Sequence, residues 1–376
     1  MNNLCTIIIP TYNRPDRLKR LLYYYSKYGN NFSIIVADSS SNENKMLNSK
    51  NVLVFTQSNI QYLDNYSFKI NPSNKLKDAL NYVNTRYTVF CADDDFITPN
   101  GINKSVEFLE NNQDFSVALG YFISFHLKNE GKREQKICWN PSTDLDKSIT
   151  FPEPESRLAS HLSNYQFATF YAVHRTNLLK MIFGETIKYT EDDRFGELLP
   201  SMLDLIYGKV KRTDVLYDAR ELIISSSGHT TKNFNDFIKE KTYKRKYNKF
   251  RECLVKHLIK SSQINSDEAK ELIDKAMTEY LNKYCSKSFK GILIGKMSNL
   301  LNALDLPESI NKSIRMLYKK IFTSKYNLNK SKEIDDFRKK IESPNSKYFD
   351  DFERIRKHVL LHAKNNNENI KDTVCN

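Results

Sequence analysis

The chain predicts an α/β protein with a mainly parallel sheet flanked by helices, followed by a C-terminal all-helical extension. Three observations carry that reading. Strand-like and helix-like segments alternate over about the first 225 residues. The loops richest in chemistry follow the ends of apolar strands, where open α/β sheets bind ligands. From about Asn235 strand patterns stop, Lys, Asn and Glu become abundant, and apolar residues recur at helical spacing.

Cys5 to Ile9 is an apolar strand stopped by Pro10. Pro15 and Asp16 open a helix whose Leu18, Leu21, Leu22 and Tyr25 share one face. Ser33 to Ala37 is a second strand, ending at Asp38 and the polar loop Ser39 to Asn42. Val52 to Phe55 predicts a third strand, Lys75 to Val83 a helix, and Tyr87 to Ala92 a buried strand. Next come a helix over Gly101 to Glu110, a strand over Phe115 to Leu119, and a hairpin from Tyr121 to Trp139 turning at Asn129, Glu130 and Gly131. Thr169 to His174 predicts a strand, Glu191 to Tyr207 a helix, and Val215 to Ser225 a closing strand.

Beyond it, Leu254, Leu258 and Ile259, then Leu272, Met277 and Leu281, then Ile314, Leu317 and Ile321 repeat at helical spacing. The chain therefore divides into residues 1–235, an α/β domain, and 236–376, a basic helical domain whose end is expected to fray from about Asn365. Charge divides at nearly the same place. Residues 1–240 carry 28 basic and 28 acidic side chains and residues 241–376 carry 30 and 17, so the whole +13 excess is C-terminal.

At 376 residues, 40% apolar and 12% aromatic, the chain can bury a large core. Cys5, Cys91, Cys138, Cys253, Cys285 and Cys375 show no close pairing, which reads as reduced core thiols in a cytoplasmic compartment rather than disulfides or a zinc site. No apolar stretch approaches the roughly 20 residues of a membrane span, and no signal-peptide pattern precedes Leu4. Neither a Walker loop nor a Gly-x-Gly-x-x-Gly fingerprint occurs, which argues against a P-loop enzyme or a dinucleotide oxidoreductase.

The strongest chemical signal is Asp93, Asp94 and Asp95 directly after the apolar run Tyr87 to Ala92. Adjacent carboxylates at a strand end repel one another and need a cation or raised pKa values, and a divalent metal with a phosphate ligand answers that need. The alternative is an acidic turn in which Asp95 caps the following helix.

The opening Thr6-Ile-Ile-Ile-Pro-Thr-Tyr-Asn-Arg-Pro15, with Asp38 after the second strand and the triplet after the fourth, resembles the GT-A fold glycosyltransferases, most of all the inverting family 2 enzymes of bacterial surface polysaccharide synthesis. The likeness covers roughly residues 4 to 228. It implies a Rossmann-like nucleotide-binding sheet and a nucleotide-sugar donor, UDP-linked, held by Pro10, Thr11, Tyr12, Arg14, Asp38, Asp93 and Asp94. A carboxylate such as Asp38 can accept the imide proton of uracil, whereas a turn-capping acid is the plainer reading of the same residue. The family's Asp-x-Asp is met by Asp93 and Asp95, while its commoner Asp-x-Asp-Asp, aligned on Phe96 and Pro99, puts Ala92 at the first acid. All of Asp93, Asp94 and Asp95 are therefore named as ligands of Mn²⁺ or Mg²⁺, with His229 as a late histidine ligand or a plain surface-loop residue.

The cluster Thr190, Glu191, Asp192, Asp193 is similar to the Thr-Glu-Asp motif in which processive family 2 enzymes such as cellulose synthase place their base. By residue match Asp192 is the base and Glu191 the second candidate. Ordinary helix N-terminal acids are the alternative. The implied partners are the donor and a glycan or lipid-linked acceptor, with the inner-membrane surface as a further partner of the basic domain and no nucleic acid. Two other readings stand beside this one: transfer from a CMP-linked or other activated donor without metal, and a degenerate GT-A domain in a basic protein that binds membranes or nucleic acid through the run Lys239 to Arg251.

Overall fold

The computed structural model describes residues 4–29, 31–55, 59–128, 134–141, 148–165, 167–222, 234–283, 325–364 and 369–372. The first half follows a simple alternation: β1 (Cys5–Thr11), α1 (Pro15–Tyr28), β2 (Ser33–Asp38), α2 (Asn42–Leu53), β3 (Asn59–Leu63), α3 (Pro72–Leu80), β4 (Tyr87–Phe90). These four strands are parallel in the order β3-β2-β1-β4. The order reverses between β1 and β4, so their C-terminal loops open on a topological switch point, where such sheets leave a crevice. Ile7, Ile8 and Ile9 of β1 are fully buried, as a parallel strand covered on both faces requires.

The chain continues through β5 (Phe96–Ile97), α4 (Pro99–Asn111), β6 (Phe115–Lys128), β7 (Glu134–Pro141), α5 (Pro154–Ser163), β8 (Val173–Arg175), α6 (Thr176–Tyr189), α7 (Asp193–Tyr207) and β9 (Lys209–Glu221). The described residues form one ten-stranded mixed sheet. β8 lies antiparallel between β4 and β6, and β9 runs parallel to β6 and antiparallel to the short β5. The fold class expected from the sequence, a mainly parallel sheet flanked by helices with C-terminal helices after it, is the one observed.

Several local expectations change. Val52 to Phe55 is not a strand: it ends α2, and the third strand is Asn59–Leu63. Ser41 caps α2 by accepting from the Asn44 N–H at 3.5 Å, and from this helix Val52 packs on the core, with Phe55 just beyond it. Packing here overrides the strand propensity of the apolar run. Phe115 to Leu119 runs on without a break into the first arm of the predicted hairpin, and β6 and β7 pair antiparallel from Ile123 with Pro141 to Lys128 with Lys136. Its turn at Asn129, Glu130 and Gly131 lies outside the described residues. Only the end of Thr169 to His174 is strand, because the Ala172 N–H closes a turn on the Thr169 carbonyl at 2.7 Å. α5 and α6 had no counterpart in the sequence reading.

After the short helical turn Phe234–Phe237, the C-terminal part forms helices Tyr243–Ser261, 266–283, Lys325–Glu342 and Phe349–Lys364. The last of these packs on α1: Phe352, Ile355 and Val359 join the apolar core of the sheet, the Trp139 and Phe352 rings meet at 5.1 Å, and the buried His358 Nε2 lies 2.8 Å from the Arg20 carbonyl. Where fraying was expected, β10 (Asn369–Asp372) adds a parallel strand to β7. Cys5, Cys91 and Cys253 are free buried thiols as expected, but Cys138 is disulfide-bonded, which corrects the reading of all six cysteines as reduced.

Gly120 marks the tightest point between β6 and β9, where the pairing register shifts between Leu119 and Tyr121. A Cβ there would lie 2.6 Å from the Val215 carbonyl oxygen and 2.8 Å from Tyr217 Cβ, and backbone on both sides leaves no room to yield. Gly120→Ala is expected to lower the unfolding free energy by about 1–3 kcal/mol in urea titration, the usual cost of overpacking a filled core.

Candidate active site

The loop after β1 is built to face the triplet. Asn13 takes the left-handed conformation at φ 55°, turning the chain sharply into α1. Its side-chain oxygen accepts from the Ser41 N–H at 2.8 Å and its own N–H donates to Ser40 Oγ at 2.8 Å, locking this loop to the one after β2. Thr11 Oγ1 then donates to Asp93 Oδ2 at 2.7 Å, and the Arg14 guanidinium reaches Asp94 at 2.6 Å and Asp93 at 3.4 Å. The three acids are 4%, 6% and 6% exposed, so their charges sit in protein rather than water.

Asp95 turns the other way. Its Oδ1 accepts from the Glu221 N–H at 2.9 Å, and it faces Asp218 on β9. It does not cap α4; Thr98 does, accepting from the Gly101 N–H at 3.0 Å. Burial, then the neighbouring Asp94 charge, pushes the Asp93 carboxyl up to about 6 against the pull of Thr11 and Arg14. Burial and the Asp218 charge hold Asp95 well above the usual carboxylate range, and burial raises Asp218 against the pull of Arg220. Arg220 bonds Asp218 at 2.6 Å and stacks over Phe122 at 4.3 Å and Tyr171 at 4.8 Å. An all-carboxylate set of hard oxygens that resists full ionisation is the donor chemistry that Mn²⁺ or Mg²⁺ takes.

On the β2 side Asp38 is fully buried. Oδ1 accepts from the Ser40 N–H and Oδ2 from Asn48 Nδ2 and Tyr62 Oη, each at 2.7 Å. Burial and this bond to Asp38 keep the Tyr62 phenol protonated far above its ordinary range. Pro10 pairs with Ala37 and Thr11 with Asp38 across the two strand ends. Tyr12 and Phe68 are 45% and 48% exposed with rings 4.9 Å apart, an aromatic pair at the mouth of the crevice.

Sequence reasoning missed Lys75, Asp218, Arg220 and Glu221. Lys75 Nζ donates to the Thr11 carbonyl at 3.0 Å and to Ser39 Oγ at 2.8 Å, and burial lowers its pKa to about 8 although Asp38 and Asp93 pull it upward. Nothing in the sequence sets this helix-start lysine apart. The other three did leave a signal: a run of charges inside a predicted strand.

Glu191 and Asp192 stand before α7 but point to different partners. The exposed Glu191 is gripped by Arg245 at 2.5 Å and Lys249 at 2.6 Å, and those two bonds hold its carboxyl down to about 2. Asp192 caps α7: Oδ1 accepts from the Arg194 N–H at 3.0 Å and the Phe195 N–H at 2.9 Å. Its Oδ2 is buried and accepts no hydrogen bond among the described residues. Burial raises this carboxyl, while the Phe195 amide and the Lys246 charge oppose the rise. One turn on, crowding raises Glu197 although its side chain reaches solvent, and Arg194 and Arg220 pull it back. Arg220 thus acts on Asp218 and Asp95 on one side and on Glu197 of α7 on the other. His229 lies outside the described residues.

The basic run is largely engaged. Besides Arg245 and Lys249, Lys246 pairs with Glu240 at 3.1 Å, Arg251 with Asp274 at 2.6 Å and Lys256 with Glu185 at 2.7 Å.

The family comparison gives the class of protein, an enzyme that transfers glycosyl groups. More particularly, residues 6–172 match the family model described as Glycosyl transferase family 2, and that part of the chain is family 2-like on a GT-A fold. Among solved structures, S. aureus TarS 1-349 in complex with UDP-GlcNAc is 14% identical, with 74% of this chain and 72% of that chain covered and a TM-score of 0.49. The mannosyltransferase PcManGT from Pyrobaculum calidifontis, in complex with GDP-Man and Mn2+, is 11% identical over 80% of this chain and 81% of that chain, with a TM-score of 0.40. No curated protein matches the chain in sequence.

Beneath the triplet, Arg20 Nη2 bonds the Asp94 carbonyl at 3.0 Å and Glu221 Oε2 at 2.5 Å, with Phe96 under its guanidinium and Arg17 as a second partner of Glu221 at 3.2 Å. Arg20→Met is expected to cost up to about 3–5 kcal/mol in urea unfolding, because it removes the shorter of the two ion pairs on a buried carboxylate, and Arg20→Met with Glu221→Leu to recover part of that loss.

Proposed function

We propose that the chain transfers a sugar from a UDP-linked donor to a glycan or lipid-linked acceptor in bacterial surface polysaccharide synthesis, by an inverting single displacement. The observation that carries this reading is the Asp192 carboxyl, with one oxygen occupied in capping α7 and the other buried with no hydrogen-bond partner among the described residues. A general base needs that combination: fixed orientation and a vacant lone pair.

In this mechanism the Asp192 Oδ2 takes the proton of the acceptor hydroxyl as that oxygen bonds to the anomeric carbon. The bond from that carbon to the nucleoside diphosphate breaks on the opposite face, and the configuration inverts. Pro10, Thr11, Tyr12, Arg14 and Asp38 bind the nucleotide end of the donor, with the exposed Tyr12 ring offering a face to the base. Asp93, Asp94 and Asp95 would hold Mn²⁺ or Mg²⁺, which when bound neutralises charge on the leaving diphosphate. Glu191, held in its ion pairs, steadies the loop that carries Asp192. No helix among the described residues is long and apolar enough to cross a membrane, and we place the protein in the cytoplasm, at the inner-membrane surface where lipid-linked acceptors lie.

A second reading, metal-free transfer from a CMP-linked or other activated donor, draws support from Arg14, a built-in cation already on Asp94 and Asp93. Product release measured with Mn²⁺ and again with excess chelator separates the two: full turnover in chelator sinks the metal-assisted reading. Asp192→Asn is expected to lower kcat by about 10²–10⁴-fold with little change in donor affinity. Unchanged turnover in that variant would remove the base assignment.

The pH profile gives an independent test. A base works only when deprotonated, and burial raises the Asp192 pKa, so kcat/KM should fall on the acid side at a pH above the ordinary carboxylate range. Lys246→Met removes a charge that opposes the rise, and the acid limb should move to still higher pH.

A further inference from the structure

Between α6 and the helix Tyr243–Ser261, three side chains of metal-ligating type converge. Cys253 and His257 stand four residues apart on the helix Tyr243–Ser261 and so share one face. Glu185 of α6 faces them, its Oε2 2.9 Å from His257 Nε2 and 3.9 Å from Cys253 Sγ, and one ligand atom from each residue lies within 4.8 Å of the other two. Cys253 and His257 are buried and Glu185 is partly exposed, so the group forms a pocket edge with one open side.

We propose that Glu185, Cys253 and His257 form a binding site for a transition-metal dication, Zn²⁺ by ligand chemistry, separate from the glycosyl-transfer site. A thiolate, an imidazole and a carboxylate are the ligand types zinc takes, and three of them with an open fourth position make a complete protein set. Tetrahedral zinc would separate the oxygen and nitrogen ligands by about 3.4 Å and the oxygen and sulfur ligands by about 3.6 Å. The observed oxygen–nitrogen distance is shorter and the oxygen–sulfur distance longer than those values, and the sulfur and nitrogen lie within 4.8 Å of each other, so side-chain adjustment without movement of the helices would close the set around an ion. The outer ring nitrogen has its partner too: Tyr207 Oη lies 2.6 Å from His257 Nδ1, and by accepting the Nδ1 proton it leaves Nε2 free to bind.

What now occupies the carboxylate is the Lys256 ammonium, 2.7 Å from the same Oε2 and roughly half exposed. It can swing into solvent. Binding would release that ammonium and the Cys253 thiol proton and set two anionic ligands against one dication, leaving the cluster neutral as it is with Lys256 in place. The site joins α6 to the C-terminal helix, and Tyr207 ties it to α7, so an ion there would clamp the basic helix to the catalytic domain.

The test uses the full chain, stripped with chelator, dialysed and titrated with Co²⁺. The expected result is a near-ultraviolet thiolate-to-cobalt charge-transfer band that saturates at one equivalent and is displaced by Zn²⁺. Cys253→Ser should abolish it and His257→Gln or Glu185→Gln should weaken it, with circular dichroism confirming that each variant is folded. Tyr207→Phe is expected to lower affinity about tenfold. Lys256→Met should raise it by removing the competing ammonium, an effect that a merely structural ion pair would not produce. Absence of the band in the wild-type chain, or its survival in Cys253→Ser, would overturn the proposal.

Discussion

The arrangement on which the site depends is the compensation of acids packed into one end of the sheet. Asp93, Asp94, Asp95, Asp218 and Glu221 meet there at 7% exposure or less, and burial together with neighbouring charges raises the carboxyls of Asp93, Asp95 and Asp218. Arg14, Arg20, Arg220 and Lys75 enter from four directions to offset that cost. Without them the strand end could not hold ionised groups, since an unpaired buried charge costs several kcal/mol. Each cation also ties down a segment. Arg14 fixes the loop after β1, Lys75 links it to the loop after β2, Arg20 joins α1 to β9, and Arg220 reaches from β9 towards α7. The charge cluster is in this way the same set of contacts that holds the loops in register.

The C-terminal helices belong to this arrangement more than their composition suggests. Their excess positive charge reads as a surface for phosphates or lipids, yet on the helix Tyr243–Ser261 much of it is met by acids of α6 and α7, of the next helix and of Glu240. Phe195 of α7 stacks on Phe250 at 4.7 Å with the planes 25° apart, so the start of α7 is held by aromatic packing as well as by charge. Farther on, His358 meets the carbonyl of Arg20, the residue that carries the buried ion pair. The helical region thus contacts the site from two sides.

Much of the site was legible because its residues cluster in the chain. The Pro10 to Pro15 opening, Asp38, the triplet and the acids before α7 all follow strand or helix boundaries, and the structure brings the first three groups together at the switch point. The contributions of β9 were legible only as charges inside a predicted strand, not as parts of the site: Asp218, Arg220 and Glu221 lie far from the triplet in sequence and reach it because the short β5 pairs with β9. Lys75 was hidden for a similar reason, its role arising from burial beside Thr11 and Ser39. The misplaced third strand shows the opposite failure, since Val52 to Phe55 has strand-like residues while the Ser41 cap and core packing make its segment helical. Cysteine spacing misled too, because a cross-link between residues distant in the chain leaves no local mark, and Cys138 has one.

The sequence by itself determined the alternating α/β architecture, the parallel strands with acids at their ends, and the likeness of residues 6–172 to the family 2 model. These follow from local periodicity and from motifs confined to a few consecutive residues. Only the tertiary structure decided which carboxylates face which cations, that Asp192 caps α7 with one oxygen while the other stays free, that Glu191 is held by the C-terminal helix, and that Cys253 meets Glu185 and His257. Those outcomes depend on distances between segments far apart in the chain and on how deeply each charge is buried, and neither quantity is written in local sequence.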